Sequence, residues 1–385
     1  MENEKSRCEP AKIQKKSFAI GRLVSSLSAV SVFTVSGWMI ARNVIRPPEI
    51  PRVIEAAVIE PEPTVTPTLF PADKTPETND GGYAYLAPDG AEEDMNVGKG
   101  THAPEGFTSE DRKEEFYTFL IIGLDGGINT DTIMVASYDA VNMEANIISI
   151  PRDSLVDVKR GTKKINAAYA AGTLYGERGV DEGIAQLRRE VKTIIGFSPD
   201  FYVCVDLEAF VKIVDAVGGV DVFVPLNMKY DDPEQNLHIN IPKGEQHLDG
   251  ADALRLARYR KGNDDINIIS DYDRIENQQA VIRAILENLL KPSNITKIPE
   301  FIDIFNEYVY TDIKIENMLW FAEQLNKIKG TDALSTYTMP TAGTSGPPMY
   351  YEYLYEYAIV EMVNETINPF KKDIDAKDLD IITWY

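Results

Sequence analysis

The amino-acid sequence predicts an α/β protein, in which a central mixed β-sheet is covered by helices on both faces and is preceded by one N-terminal transmembrane helix. Three observations support this prediction: an uncharged apolar run near the N-terminus, a proline-rich stretch after it, and then an alternation of β-branched runs with amphipathic helical segments. With 44% hydrophobic and 26% charged residues, the chain has enough apolar material for a sizeable core.

The N-terminal segment predicts a membrane anchor. Residues 23–41 carry no charge, and a helix of this length spans about 28 Å, close to the thickness of a bilayer core. Lysines and arginines precede this run, so the positive-inside rule places residues 1–22 in the cytoplasm. The alternative is a cleaved signal peptide, but its apolar region would be shorter, and no small-residue cleavage pattern follows Gly37. We therefore predict a single-pass protein of the cell membrane, with its main domain outside.

Composition limits the partners of this outer part. The formal net charge is −22, whereas nucleic-acid binding requires a basic surface, so no nucleic-acid partner is expected. Of the two cysteines, Cys8 would be cytoplasmic and Cys204 outside, so no disulfide is expected to support the fold. Residues 42–112 are acidic and rich in proline, and they predict a semi-extended extracellular spacer.

The folded part is predicted to comprise a domain at 113–330 and a C-terminal extension at 331–385 packed on it. Three apolar runs at 116–122, 132–139 and 145–150 are separated by turn residues, which is typical of an antiparallel meander. Helices and strands then alternate. The predicted elements are a helix from Asp181, a strand at Phe201–Val205, a helix from Asp206 to Gly218, a strand at Val220–Val224, a helix from Asp249 toward Arg258, a long helix after Asp271, and helical structure over 300–327.

Two acids and an arginine are predicted to meet at one edge of the sheet. In a meander, the end of the first strand, the start of the second and the end of the third share an edge, which brings together Asp125, Asp131 and Arg152. Carboxylates suit a divalent metal, and a guanidinium suits a phosphate. The alternative is that the acids only form the turn and that Arg152 only caps the strand.

A series of motifs in the chain resembles the LytR-CpsA-Psr family of Gram-positive cell-envelope phosphotransferases. The motifs occur in family order over about residues 116–290. They are GLDGG at 123–127, TDT at 130–132, SIPRD at 149–153, KINAA at 164–168, GGVDV at 218–222, LDG at 248–250 with Ala253 to Arg260 after it, and Asp271 through Arg274 to Gln279.

The resemblance implies a function and a site. The function is transfer of a glycopolymer from a polyprenyl-pyrophosphate carrier to peptidoglycan. The implied partners are the lipid-linked glycopolymer, peptidoglycan and membrane lipid. It implies that Asp125 and Asp131 hold Mg²⁺ or Mn²⁺, that Asp131 or a neighbour assists removal of the acceptor's proton, and that Arg152 is also catalytic. The residues implied to surround the pyrophosphate are Arg152, Arg258, Arg260, Arg274 and Gln278.

The chain departs from the family pattern at two positions where an arginine is usual, Asn129 and Asn277. Asparagine donates a hydrogen bond but has no charge and no bidentate fork. A second hypothesis is therefore a catalytically weakened paralogue that binds lipid pyrophosphate as a cell-envelope regulator or scaffold. A third is an anchored extracellular domain with an unrelated ligand.

The lipid of such a carrier requires an apolar pocket between the sheet and the helices. The sequence offers two helix faces as its wall. One is Ile184, Leu187 and Val191, and the other is Ile282, Ile285 and Leu286.

Overall fold

A computed structural model of the chain describes residues 46–49, 53–54, 101–126, 128–174, 178–233, 237–263, 267–289, 291, 294, 297–325 and 333–383. The predicted cytoplasmic tail and transmembrane helix lie outside these residues, as does most of the spacer. Within the described ranges, no helix combines the length and the apolar composition that a membrane crossing requires.

Six strands form the central sheet. The strands in the described ranges are β1 (Val53–Ile54), β2 (Thr101–His102), β3 (Phe116–Leu124), β4 (Thr130–Asp139), β5 (Glu144–Ser149), β6 (Phe201–Val205), β7 (Val220–Val224), β8 (Met228–Asp232), β9 (Leu237–Ile241), β10 (Gly244–Leu248), β11 (Val309–Thr311), β12 (Leu334–Thr338), β13 (Thr341–Thr344) and β14 (Glu352–Leu354). The central sheet has the order β11-β6-β3-β4-β5-β12. Strands β3, β4 and β5 are the predicted antiparallel meander. Because β6 is parallel to β3 and β12 is parallel to β5, the sheet is mixed, as predicted.

The remaining strands form small two-stranded sheets. β7 is a strand as predicted, but it pairs with β10 and not with the central sheet. β8 and β9 form a neighbouring hairpin. Their inward residues, among them Val220, Met228 and Ile239, pack with Leu256 and Tyr259 in a second core.

Eight helices of at least five residues lie within the described ranges. They are α1 (Ala168–Gly172), α2 (Val180–Ile195), α3 (Leu207–Ala216), α4 (Gly250–Arg258), α5 (Asp271–Leu289), α6 (Ile298–Tyr308), α7 (Ile315–Leu325) and α8 (Glu356–Thr366). Two predicted N-caps are confirmed: the Asp206 carboxylate accepts from the Ala209 N–H at 2.8 Å, and the Asp249 carboxylate accepts from the Asp252 N–H at 2.8 Å.

The helical structure predicted over 300–327 is present as α6 and α7, but it is interrupted between these two helices. Strand β11 separates α6 from α7, because Val309, Tyr310 and Thr311 are β-branched or aromatic and pair antiparallel with β6. The Asp312 carboxylate then accepts from the Tyr202 N–H at 2.8 Å and holds the chain at this edge.

Helices cover both faces of the central sheet. On one face, Leu120, Ile122 and Ile133 pack against α2 and α8. On the other face, Met134 and Ala136 pack against α5, while the rings of α7 cover the start of β3. Alternation along β3 and β4 sends successive side chains to opposite faces, so both faces are apolar.

The core extends past both predicted domain boundaries. Phe107, before residue 113, is buried against Phe370 with ring centroids 5.0 Å apart. Strand β12, after residue 330, is an edge strand of the central sheet, and Ile359 of α8 is fully buried in the same core. The C-terminal segment is therefore part of the packed unit.

Candidate active site

The carboxyl ends of β3 and β5 and the start of β4 form a polar rim at one edge of the sheet. Arg152 Nη1 donates to Asp131 Oδ1 at 2.7 Å, so the adjacency predicted for these two residues is present. Asp125 lies in the turn between β3 and β4, where its N–H donates to the Asn129 carbonyl at 3.1 Å. The Asn129 amide lies 3.5 Å from Asp125 Oδ2. Asn129 therefore supports the turn that carries one of the two predicted metal ligands.

Asp271, at the start of α5, lies among three of the predicted phosphate-binding arginines. Its carboxylate is 3.4 Å from Arg152 Nε, 3.3 Å from Arg260 Nη2 and 3.5 Å from Arg274 Nη2. The sequence marks Asp271 only as the start of a helix and of a motif. Its spacing of three residues from Arg274 on one helix face indicates a contact with Arg274.

Charge and burial around Asp271 shift the pKa values of the cluster. Burial raises the pKa of the Asp271 carboxyl, but the surrounding arginines outweigh burial and hold that pKa below its ordinary value. Burial lowers the pKa of Arg152, yet the neighbouring carboxylates raise it above its ordinary value overall. For Arg274, burial and then the positive charge of Arg152 lower the pKa. The positive charge of Arg274 is thus less fully balanced by neighbouring carboxylates than that of Arg152.

Two buried donors of α5 lack a partner within the described part of the chain. Arg274 is 3% exposed and its Nε has no hydrogen-bond acceptor there, and the same holds for Nδ2 of Asn277, which is 6% exposed. Buried donors are normally satisfied, so these two groups leave hydrogen-bonding capacity for a ligand or water. Asn277 is one of the two positions at which the motif resemblance predicts an arginine.

An apolar cavity of about 270 Å³ begins at the rim and lies between the sheet and α3, α4 and α5. Asp125, Asp131, Arg258 and Gln278 are among its polar lining residues, and the rest of the lining is mostly aliphatic. The lining follows α5 from Gln278 to Leu289, a distance of about 16 Å at the helical rise. The cavity is therefore polar at the rim and apolar along its length.

Only one of the two predicted cavity walls is present. Ile282, Ile285 and Leu286 line the cavity, as predicted. Ile184, Leu187 and Val191 do not line it, because α2 covers the opposite face of the sheet and these side chains are buried in the core there. Helical periodicity identified both apolar faces, but it does not determine which face of the sheet each helix covers.

The seven predicted site residues thus lie at one end of the fold. Asp131 connects the cavity to the cluster of arginines, because it lines the cavity and its carboxylate accepts a hydrogen bond from Arg152. Through Asp271, Arg152 is linked to Arg260 and Arg274. Gln278, which is buried, donates to the Ala257 carbonyl at 3.3 Å and so connects α5 to α4 beside Arg258.

Comparison with known proteins identifies the family of this chain. The sequence profile of the LytR_cpsA_psr family matches residues 82–368. The chain belongs to this family. The resemblance inferred from its motifs is confirmed.

Two relatives of the chain carry names that place them in cell-wall assembly. The polyisoprenyl-teichoic acid–peptidoglycan teichoic acid transferase TagV of Bacillus subtilis is 31% identical over 216 residues, which are 53% of this chain and 52% of TagV. The cell wall biosynthesis protein LcpA of Corynebacterium glutamicum is 32% identical over 287 residues, which are 69% of this chain and 53% of LcpA. The chain spans about half the length of these relatives.

The crystal structure of TagV supports the fold. It superposes with a TM-score of 0.54 at 27% identity, covering 70% of this chain and 99% of the TagV chain. A mixed α/β architecture of this kind is therefore shared by the two proteins.

The donor set of the site fits a metal that is bound together with phosphate. In the described ranges, no group of three or more histidine, cysteine or acidic side chains could form a complete metal cage. Mg²⁺ is commonly held by one or two carboxylates and completes its shell with waters and phosphate oxygens. Asp125 and Asp131 line the same cavity and supply such a pair of carboxylates.

Proposed function

We propose that this protein transfers a glycopolymer from a polyprenyl-pyrophosphate carrier to peptidoglycan. One observation carries the proposal: the apolar cavity and the rim of arginines and aspartates are continuous. A polyprenyl pyrophosphate has the same two-part chemistry, an isoprenoid tail and a strongly anionic head group. The tail would occupy the cavity along α5, and the head group would lie at the rim.

The rim concentrates arginines, although the chain as a whole is acidic. Four arginines, at 152, 258, 260 and 274, lie at this edge of the sheet, whereas the chain has a formal net charge of −22. Guanidinium groups stabilise the negative charge that spreads over phosphate oxygens during transfer. The ion pairs to Asp271 hold three of these arginines near one another before the ligand arrives.

The proposed reaction is a phosphoryl transfer. An acceptor hydroxyl attacks the phosphorus that bears the glycopolymer, a new P–O bond forms, and the bond from that phosphorus to the bridging oxygen breaks. Polyprenyl phosphate leaves with the bond electrons, and the glycopolymer phosphate remains on peptidoglycan. We assign Asp131 as the acceptor of the hydroxyl proton, and Arg152 as a group that orients Asp131 and stabilises the developing charge.

Asp125 and Asp131 are the residues proposed to hold Mg²⁺ or Mn²⁺. When bound, the ion would neutralise charge on the phosphate oxygens. The protein's own contribution is to hold both carboxylates at one rim and to exclude water from the apolar part of the cavity.

The proposed cellular location follows from the N-terminal sequence. The uncharged run at 23–41 and the basic residues before it support a single-pass anchor in the cell membrane, with the N-terminus in the cytoplasm. The spacer at 42–112 would hold the catalytic domain outside the cell, within reach of a lipid-linked donor in the same membrane.

A lipid-binding and transfer experiment tests this function. The full chain is purified in detergent, its lipids are extracted for mass spectrometry, and transfer from a polyprenyl-pyrophosphate-linked glycopolymer to peptidoglycan is measured with Mg²⁺ or Mn²⁺. Ile285→Trp should fill the cavity and abolish both lipid retention and transfer. Ile315→Trp is the matched control, because Ile315 is 47% exposed and lies outside the cavity.

The outcomes separate the hypotheses. Lipid retention without transfer would identify the binding-only protein, with Asn129 and Asn277 as the reason for lost turnover. Absence of both lipid and transfer would refute the polyprenyl assignment.

A further inference from the structure

Three exposed tyrosines lie on the segments that adjoin the rim. They are 40% to 68% exposed, whereas large apolar side chains elsewhere are mostly buried. We call these residues the tyrosine surface. Its members are Tyr272, Tyr355 and Tyr357. None of them has a role in the proposed binding of pyrophosphate.

Two connections fix the tyrosine surface to the rim. Tyr272 follows Asp271 directly, and its hydroxyl lies 2.5 Å from the Thr341 hydroxyl at the start of β13. The Glu352 N–H, at the start of β14, donates to the Asp153 carbonyl at 2.9 Å. Asp153 is the residue after Arg152. The hairpin of β13 and β14 is therefore tied to two of the segments that carry the proposed pyrophosphate site, those of Arg152 and Asp271.

The tyrosines also lie close to one another. Thr341, which contacts the Tyr272 hydroxyl, pairs with Leu354 in the hairpin. Tyr272 therefore lies near Tyr355, the residue after Leu354. The rings of Tyr355 and Tyr357 are 6.5 Å apart at an interplanar angle of 81°. Such an arrangement offers ring faces in different orientations along one surface.

The charge of this segment selects among possible ligands. Residues 333–370 contain Glu352, Glu356, Glu361 and Glu365 but no lysine or arginine. A polyanion would be repelled by four carboxylates without a cation between them. An uncharged polymer has no such penalty. Tyrosine rings provide rigid, amphipathic contact area for such a ligand, and their hydroxyls provide hydrogen bonds.

We propose that the tyrosine surface binds the uncharged glycan strand of the acceptor peptidoglycan. The C–H faces of the sugars would lie on the tyrosine rings, and the sugar hydroxyls would bond to the tyrosine hydroxyls. An acceptor held there has its reactive hydroxyl directed toward the rim, where the donor phosphate lies. This inference rests on the proposed function, because it assigns the second substrate of the same site.

A binding experiment with an uncharged amino-sugar polymer tests the inference. The full chain is titrated in a calorimeter with a soluble oligomer of N-acetylglucosamine. The double variant Tyr355→Ala with Tyr357→Ala should bind at least about tenfold more weakly, because it loses two aromatic contacts. Tyr310→Ala is the matched control: Tyr310 is 49% exposed, as is Tyr355, but it lies on β11 at the opposite edge of the sheet.

Several results would overturn the inference. They are the absence of oligomer binding by the wild type, unchanged binding by the double variant, and an equal loss in Tyr310→Ala. Circular dichroism confirms that each variant is folded before its affinity is compared.

Failure of this inference can be distinguished from failure of the proposed function. Inorganic pyrophosphate binding is measured separately on the same preparations. Pyrophosphate binding without oligomer binding would refute only the assignment of the tyrosine surface. Oligomer binding that depends on Tyr355 and Tyr357, without pyrophosphate binding, would refute the transferase and leave a carbohydrate-binding protein.

Discussion

Replacement of Arg152 by alanine should remove pyrophosphate binding. The Arg152 side chain is 15% exposed and spans two acids, with Nη1 at 2.7 Å from Asp131 and Nε at 3.4 Å from Asp271. In the proposed complex the same guanidinium faces phosphate oxygens. A charge-assisted hydrogen bond contributes about 1.5–3 kcal/mol, so loss of a two-pronged contact should cost about 3 kcal/mol or more. This corresponds to a dissociation constant raised by roughly 150-fold.

Lysine at the same position separates charge from geometry. Arg152→Lys keeps one positive charge but has no planar fork, so its affinity should fall between those of the wild type and Arg152→Ala. The assay is calorimetric titration of each full-length protein with inorganic pyrophosphate at fixed Mg²⁺ and low salt. Thermal unfolding followed by circular dichroism shows whether each variant has kept its fold.

Arg255→Ala is the matched control for this experiment. Arg255 lies on α4, one turn before Arg258, but it pairs with Asp252 at 2.6 Å and does not line the cavity. Its removal should leave pyrophosphate affinity within about twofold, as expected for an exposed ion pair. If Arg152→Ala binds pyrophosphate within about threefold of the wild type, the reasoning is refuted. Both the transferase and the binding-only hypotheses would then fall, because both require this guanidinium.

Three further predictions concern other positions. Asn129→Arg should tighten pyrophosphate binding about tenfold in calorimetry, and the gain should shrink in 1 M salt because charged contacts are screened. The pKa of Asp271 is lowered in the folded state, so its carboxylate stabilises the fold at pH values above its ordinary pKa of 3.8. This contribution is lost as the pH falls through the lowered pKa. Thermal melts should therefore decline less steeply below about pH 4 in Asp271→Asn than in the wild type. Burial raises the pKa of the Cys204 thiol to about 12. In a Cys8→Ser background, alkylation of Cys204 at pH 8 should therefore occur only at the rate of unfolding. Faster labelling would contradict the burial of this thiol.

The meander and the rim could be predicted because their determinants are local. Apolar runs at 116–122, 132–139 and 145–150 define three strands, and two short connections leave antiparallel pairing as the simple arrangement. The positions of Asp125, Asp131 and Arg152 at one edge then follow from topology alone.

Features that depend on distant contacts could not be predicted in the same way. Helical spacing predicts an apolar face on both α2 and α5, yet only that of α5 lines the cavity. Asp271 looks like an ordinary acidic residue at a helix start until the fold places Arg152 and Arg260 beside it. Strand β11 is too short for its sequence to outweigh the helical pattern on either side, and its pairing with β6 decides its conformation.

The parallel pairing of β5 with β12 has a consequence for the order of folding. Ala145 pairs with Leu334, so this edge of the sheet closes a loop of about 190 residues. Ser149, three residues before Arg152, pairs with Thr338, and its carbonyl accepts a hydrogen bond from the Met339 N–H at 2.8 Å. The strand end beside Arg152 therefore lacks its neighbour until nearly all of the domain has been synthesised. Contacts between such distant residues form late and slowly. In the membrane-anchored transferase that we propose, the chain would thus acquire the edge that carries Arg152 only after the bulk of the domain has left the translocation channel. Membrane passage would then be separated in time from the binding of lipid-linked donors.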